Sequence, residues 1–340
     1  MARTRRVDTS SPGITRVKRG AGFSYHEEDG ARISDKATLE RIRALAIPPA
    51  WSDVWICPHP RGHIQATGYD VAGRKQYRYH DDWRASRDRI KFEEMDEFAR
   101  QLPKLRKRVA AGLGERGLVF DRVCACAVAL LDLGLFRVGS ERYETENESY
   151  GLTTLKCRHL SFVDGAAVFD YPSKSGQRAR HTISAPEVIP TLKQLQKRGK
   201  PGSDLFQYRQ GRSEWRGLDS DHVNGFIKEV VGDGFSAKDF RTWNATVLCA
   251  VHLALHAPDD DEKPSKAKRK RIANLAVRET AEYLNNTPAV CRASYIDPRV
   301  FDRFEAGETI RPALARIERG TDPGAFVERE KIERAVLKLL

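Results

Sequence analysis

The 340-residue sequence has no apolar run long enough to span a membrane and no paired cysteine framework. These two gaps exclude an integral helical membrane protein and a disulfide-stapled secreted scaffold. The six cysteines (Cys57, Cys124, Cys126, Cys157, Cys249 and Cys291) include several in apolar helical stretches, where a thiol acts as a small hydrophobe, and they point to a reducing compartment. Cys57-Pro-His59 with His63 superficially resembles a metal site but lacks a fourth ligand at a zinc-like spacing, so no metal is expected there. The opening MARTRRVDTSSPG is basic and polar without an apolar core, so it reads as a mobile arm and not as a secretory leader. There is no internal repeat. Acidic residues are also short: 47 Asp and Glu stand against 59 Lys and Arg, a net charge of +12. Such an excess favours a polyanionic partner, because each neutralised phosphate releases counterions. Residues 1–90 carry 17 basic and 11 acidic side chains, and the excess divides evenly between this stretch and the rest, so both halves can face phosphate.

The hydrophobic pattern changes near His80. Before it, short β-like runs (around Phe23, Val54–Cys57, His63–Thr67 and Lys75–Tyr79, the last two joined by a turn at Asp70–Arg74) flank a helix over Lys36–Leu45. After it, helical periodicity dominates. The pattern predicts a helix over Asp81–Gln101, a second opened by Pro103, and a nearly all-apolar central helix from Val119 that delivers Arg137 just past its end. A β-hairpin over Phe169–Tyr171 and Arg178–Ile183 carries Lys174 near its tip. Further helices fit Pro186–Lys197, Asp219–Val231, Ala237–Leu255 with Ser236 as N-cap, Ile272–Asn285 and Phe326–Leu339. The run 258–271, acidic then basic with two prolines, reads as a solvated loop whose Lys268–Arg271 can reach phosphate. The fold class is α+β, with a small mixed sheet domain followed by a mainly helical one.

Four residues suit chemistry on a phosphodiester. Tyr295 carries a hydroxyl that is a poor nucleophile unless cations surround the transition state. Arg137 and Arg241 offer planar forks that bind two phosphate oxygens, and a hairpin lysine, Lys174, can protonate a leaving alkoxide. Each also has an ordinary reading, as a surface or ion-paired base or, for Tyr295, as a buried ring, and spacing alone does not decide between the two.

The ordered segments LFRVGSERY, ENESYGLTTLK, YPSKSG, KDFRTWNAT and AEYLNNTPAVCRASYIDPRV resemble the catalytic domain of type IB DNA topoisomerases of the small, poxvirus-like bacterial group. IPPAWSDVWICP and GHIQATGYDVAGRKQYRYH resemble the amino-terminal domain of that group, so the likeness covers roughly residues 20–320. The resemblance implies a bilobed clamp on double-stranded DNA, with an amino-terminal DNA-clamping domain over 1–88 and a catalytic domain of the tyrosine recombinase and type IB topoisomerase type over 89–340. It implies that Tyr295 forms a 3′-phosphotyrosyl bond, that Arg137 and Arg241 hold the scissile phosphate, and that Lys174 is the general acid. Asn286 stands nine residues before Tyr295, where many relatives carry histidine, with Asn285 as the neighbouring alternative. Gln76, Tyr77 and Tyr79 match a groove-reading strand, and Tyr143 and Lys238 lie in family motifs, the latter where tyrosine recombinases have histidine. Strand alternation places Gln76 opposite the two tyrosines. Implied with these are no ATP and no metal or other cofactor, a monomer, no membrane partner, and a place in the bacterial cytoplasm on the nucleoid. A tyrosine recombinase, or a non-enzymatic basic DNA-binding protein, are the alternatives at this point.

Overall fold

The computed structural model describes residues 3–139, 149–173, 177–211, 213–258, 264–318 and 326–340. The chain divides into two compact units, residues 1–93 and 94–340.

The first unit is a five-stranded antiparallel sheet in the order β2-β1-β3-β4-β5, built from β1 (Ile14–Arg19), β2 (Gly22–His26), β3 (Ser52–Ile56), β4 (Ile64–Tyr69) and β5 (Lys75–Tyr79). Helix α1 (Lys36–Ala44) starts where the Asp35 carboxylate accepts from the Thr38 amide at 2.8 Å, and its Ile42 joins Ile14, Ile33, Val54, Ile56 and Ala66 in a small core. Asp70 makes the β4–β5 turn by accepting from the amides of Ala72 and Arg74, both at 3.0 Å, and Gly73 takes the left-handed conformation that follows (φ +71°). The expected arm is tied down in part. Arg5 N donates to Arg61 O and His63 N to Arg5 O, both at 2.8 Å, while Val7 N donates to His63 Nδ1 at 3.1 Å. Sequence reasoning passed over β1 because only Ile14 in it is buried, which leaves no alternation to read.

Helix α2 (Asp81–Leu113) contains the division between the units and runs unbroken through Pro103, against the expectation of two helices. Proline removes one helical hydrogen bond, but Phe98, Leu102 and Leu105 are fully buried around it, and that packing outweighs the local preference.

In the second unit, α3 (Phe120–Asp132) is buried along almost its whole length, as its apolar sequence predicts. A three-stranded antiparallel sheet follows, β6 (Leu160–Val163), β7 (Ala166–Pro172) and β8 (Arg178–Ile183), then α4 (Ile189–Arg198) and a short hairpin of β9 (Gln207–Gln210) and β10 (Glu214–Gly217). The remaining helices are α5 (Ser220–Val231), α6 (Ala237–His256), α7 (Lys266–Tyr283), α8 (Pro288–Ser294), α9 (Arg299–Glu305), α10 (Arg311–Glu318) and α11 (Phe326–Leu339). Ser236 caps α6, its N and Oγ both donating to Asp239 Oδ2 at 2.7 and 3.1 Å. The basic run at 266–271, expected as loop, is the first part of α7. Ser265 Oγ accepts from Lys268 N at 3.2 Å, and the buried stripe of Ile272, Ala273 and Ala276 holds the helix that this cap begins.

Helix α11 is fixed by a buried charge network. Arg106 of α2 bonds Asp132 at 2.7 Å and Glu333 at 2.7 Å, and Arg329 bonds Asp132 at 2.9 Å and Glu333 at 3.1 Å. Among the described residues no helix is long and apolar enough to cross a membrane.

Candidate active site

Arg241 lies on the second turn of α6 and is 4% exposed. Its Nη1 donates to the carbonyls of Gly134 and Leu135 at 3.0 and 3.3 Å, and its Nη2 to the carbonyl of Leu284 at 2.6 Å. The backbone after α3 can present those first two carbonyls because Gly134 is left-handed (φ +77°), and a Cβ there would stand 2.7 Å from Asn244 Cβ. Leu284 closes α7 in a Schellman turn: Asn285 is left-handed (φ +50°), its N–H bonds Glu282 O at 3.0 Å, and Asn286 N–H bonds Ala281 O at 2.9 Å. The twin asparagines therefore divide their work. Asn285 makes the turn, and Asn286 emerges from it toward Arg137.

Arg137 is held in a segment pinned by the backbone of 151–153. Leu152 N donates to Arg137 O and Thr153 N to Val138 O, both at 2.8 Å, an approach so close that a Cβ on Gly151 would meet Gly139 Cα at 2.3 Å. Its Nη2 donates to Asn286 Oδ1 at 2.7 Å. Asn286 Nδ2 and Arg241 Nε are buried donors with no hydrogen-bond partner among the described residues, and two such orphans in one neighbourhood suit an oxyanion ligand.

Tyr295 ends α8, its N–H bonded to Cys291 O at 3.0 Å, and its half-buried ring centroid lies 5.5 Å from the Arg241 guanidinium carbon. Thr246 Oγ1 joins this segment to α6. It donates toward Thr242 O (3.0 Å) and Tyr295 O (3.4 Å) and accepts from Asp297 N (3.1 Å). Asp297, 1% exposed, is ion-paired to Arg299 at 2.7 Å, and Arg299 to Asp96 at 2.8 Å.

The site is electrostatically positive. Burial, then the neighbouring Arg137, push the Arg241 guanidinium down to about 10, against the pull of the Tyr295 phenol. It stays charged at neutral pH, and among the described residues neither arginine is ion-paired to a carboxylate. The wall behind carries no charge. Burial pushes the Tyr171 phenol up to about 12 and, helped by Arg241, the His181 imidazole down to about 4. Phe136 packs against both, with ring centroids 6.4 and 5.1 Å away. Among the described residues, two guanidiniums, an orphan amide donor and a phenol thus meet without an anion of the protein's own, an arrangement that can bind a phosphate and stabilise charge building on its oxygens.

Of the residues singled out in the sequence, Arg137, Arg241, Asn286 and Tyr295 are brought together here. Lys174 and Tyr143 lie outside the described residues. The ends of the hairpin tip that holds Lys174 are described: Ser173 N and Oγ donate to Gln177 O at 2.6 and 3.0 Å, and Asn285 Nδ2 donates to Ser173 Oγ at 3.3 Å. Lys238 is exposed on the first turn of α6. In the first unit, Tyr77 and Tyr79 are exposed and stacked on one face of β5 (centroids 6.1 Å apart), while Gln76 donates to Asp70 Oδ2 at 2.9 Å. The two tyrosines line a cleft of about 680 Å³ with Arg6, Trp83, Arg84 and Arg87. Cys57, His59 and His63 form no metal-binding group among the described residues. Sequence reasoning missed Thr246, Tyr171 and Gly134. Thr246 lies inside the KDFRTWNAT segment, but nothing in the sequence marks its hydroxyl as a junction.

Residues 80–313 match a family model described as eukaryotic DNA topoisomerase I, catalytic core, and residues 22–70 one described as bacterial DNA topoisomerase IB, N-terminal domain. The chain is 34% identical over 288 residues to DNA topoisomerase 1B of Acanthamoeba polyphaga mimivirus, covering 84% of this chain and 85% of that protein. It is 27% identical over 215 residues to DNA topoisomerase 1 of Drosophila melanogaster and 25% over 272 residues to that of Mycosarcoma maydis, spanning 21% and 26% of those longer proteins.

Proposed function

The chain belongs to the type IB DNA topoisomerase family, an isomerase class that relaxes DNA, and from that premise we propose that Tyr295 is its nucleophile. The phenolic oxygen attacks the scissile phosphorus as its proton is lost to solvent water, a 3′-phosphotyrosyl bond forms, and the bond to the 5′-oxygen breaks. Arg137 and Arg241 bind the non-bridging oxygens as their charge grows, and Asn286 adds its unpartnered N–H, a neutral donor in place of the family's histidine. Lys174 gives its proton to the departing 5′-oxygen. The free end swivels, and the same steps reversed reseal the strand. A diester is exchanged for a diester of similar energy, so neither ATP nor a metal is required.

The observation that carries this reading is the placement of a buried guanidinium, fixed by three main-chain carbonyls, 5.5 Å from the Tyr295 ring, with the Arg137 charge beside it. A tyrosine packed for stability alone has no need of two cations that no carboxylate among the described residues neutralises. The amino-terminal unit supplies the other part of the grip on duplex DNA, in the manner of a clamp. There Tyr77 and Tyr79 present their rings and the bases around them meet phosphate, while Gln76 reads a base edge only after leaving Asp70. Lys238 and Tyr143 flank the phosphate. The enzyme acts as a monomer on the bacterial nucleoid, with a catalytic domain of the kind shared with tyrosine recombinases.

Incubation with supercoiled plasmid in EDTA without ATP tests this. The wild type should relax it and leave an adduct on Tyr295 in mass spectrometry after a suicide substrate. Absence of relaxation, or an adduct on another residue, defeats the reading, as does a Tyr295→Phe variant as active as wild type.

A further inference from the structure

About three turns along α6 from Arg241, His252 and His256 stand one turn apart with their rings stacked, centroids 6.5 Å apart and 15° from parallel. Glu279 of α7 reaches across to both. Its Oε2 lies 2.9 Å from His252 Nδ1 and 2.8 Å from His256 Nε2, and one donor atom from each of the three residues falls within 4.8 Å of the others. All three side chains are between 24% and 32% exposed, so the cluster is open to solvent at its edge.

Two imidazoles spaced four residues apart on a helix, with a carboxylate from a neighbouring element, are borderline nitrogen and oxygen donors of the kind that hold zinc and its neighbours. With metal–ligand bonds of about 2.0–2.2 Å in a tetrahedron, adjacent ligand atoms stand about 3.4 Å apart. The observed separations of 2.8 and 2.9 Å need only a small opening to admit the ion. The carboxylate here accepts N–H bonds from both rings, and a metal would replace those two protons with one cation bonded to all three groups, leaving a fourth position for water.

We infer that His252, His256 and Glu279 form a binding site for a divalent d-block cation of the zinc class that clips α6 to α7. The site is remote from the chemistry: His252 follows Arg241 by eleven positions on one helix, about 16 Å along its axis. The ion therefore does not touch the scissile phosphate, and this inference stands apart from the role given to Tyr295. What it affects is the seam between the helix that carries Arg241 and the helix whose last carbonyl, Leu284 O, holds it.

The test uses the full chain and Zn2+ alone. At a hundredfold excess over its dissociation constant, Zn2+ should raise the midpoint of thermal unfolding by roughly 5 °C. Co2+ should develop the visible absorption of a low-coordinate nitrogen and oxygen site. Both signals should vanish in His252→Ala/His256→Ala and shrink at least tenfold in apparent affinity in Glu279→Gln, whose amide keeps a hydrogen-bonding partner for the rings if the double variant fails to fold. A wild-type protein indifferent to Zn2+ overturns the proposal. So does a shift that persists undiminished in Glu279→Gln, since the ion would then be bound elsewhere, for example at a cysteine.

Discussion

Arg137 Nη2 donates to Asn286 Oδ1 at 2.7 Å, so the carboxamide is oriented by the arginine and turns its own N–H outward from that bond. The orphaned Nδ2 is thereby positioned by its partner and not by the backbone alone.

Replacing Asn286 separates its two roles. Asn286→Ala should slow single-turnover cleavage of a suicide substrate by about 10- to 100-fold, the worth of one neutral donor to a developing oxyanion. Asn286→Asp should be slower still, because a carboxylate on Arg137 neutralises that cation and repels the phosphate. A wild-type rate in Asn286→Ala would rule out a donor role, and equal rates for the two variants would rule out the added effect of charge on Arg137.

Arg241→Lys keeps the charge and loses the fork. A single ammonium cannot serve the carbonyls of Gly134, Leu135 and Leu284 and a phosphate together, so cleavage should fall by about 10²–10³-fold. Cleavage within threefold of wild type would show that charge alone suffices at this position.

The network around Arg106 holds α11 against the core. Arg106→Met leaves the carboxylates of Asp132 and Glu333, both 8% exposed at the side chain, with Arg329 alone to balance them. The expected loss is about 3–5 kcal/mol in urea denaturation. A loss under 1 kcal/mol would mean that Arg329 compensates.

Acid should destabilise the fold through buried imidazoles. His159 and His181 are pushed by burial to about 4 from the ordinary 6.5, so the unfolded chain takes up their protons first as pH falls. Their contribution to stability is complete above pH 6.5 and is lost between 6.5 and 4, at most about 3 kcal/mol for each ring. Urea titrations at pH 7 and 5 should show the decline, and His181→Gln, which cannot charge, should flatten it. An unchanged slope in that variant would acquit His181.

What the sequence made legible divides along physical lines. The central apolar helix from Phe120, the hairpin flanking Lys174 and the turn at Asp70 follow from local rules, and the structure has them. Strand β1 did not, because only one of its six residues is buried and its apolar pattern does not alternate. Helix α2 passes through Pro103 because packing at Phe98, Leu102 and Leu105 is non-local, and the basic start of α7 was hidden behind its charge. Within the site, the arginines and the tyrosine could be named by resemblance. The three carbonyls that grip Arg241 could not, since backbone acceptors have no sequence signature.

Thr246 offers one hydroxyl to three backbone groups, on α6 and on either side of Ile296. It works as a rivet. The main chain on both sides of Ile296 is thereby tied to the buried body of α6, the helix that also carries Arg241, so the Tyr295 backbone and the Arg241 fork share one support. Valine at 246 would retain the shape and remove the rivet, leaving that backbone to be held against α6 by packing alone.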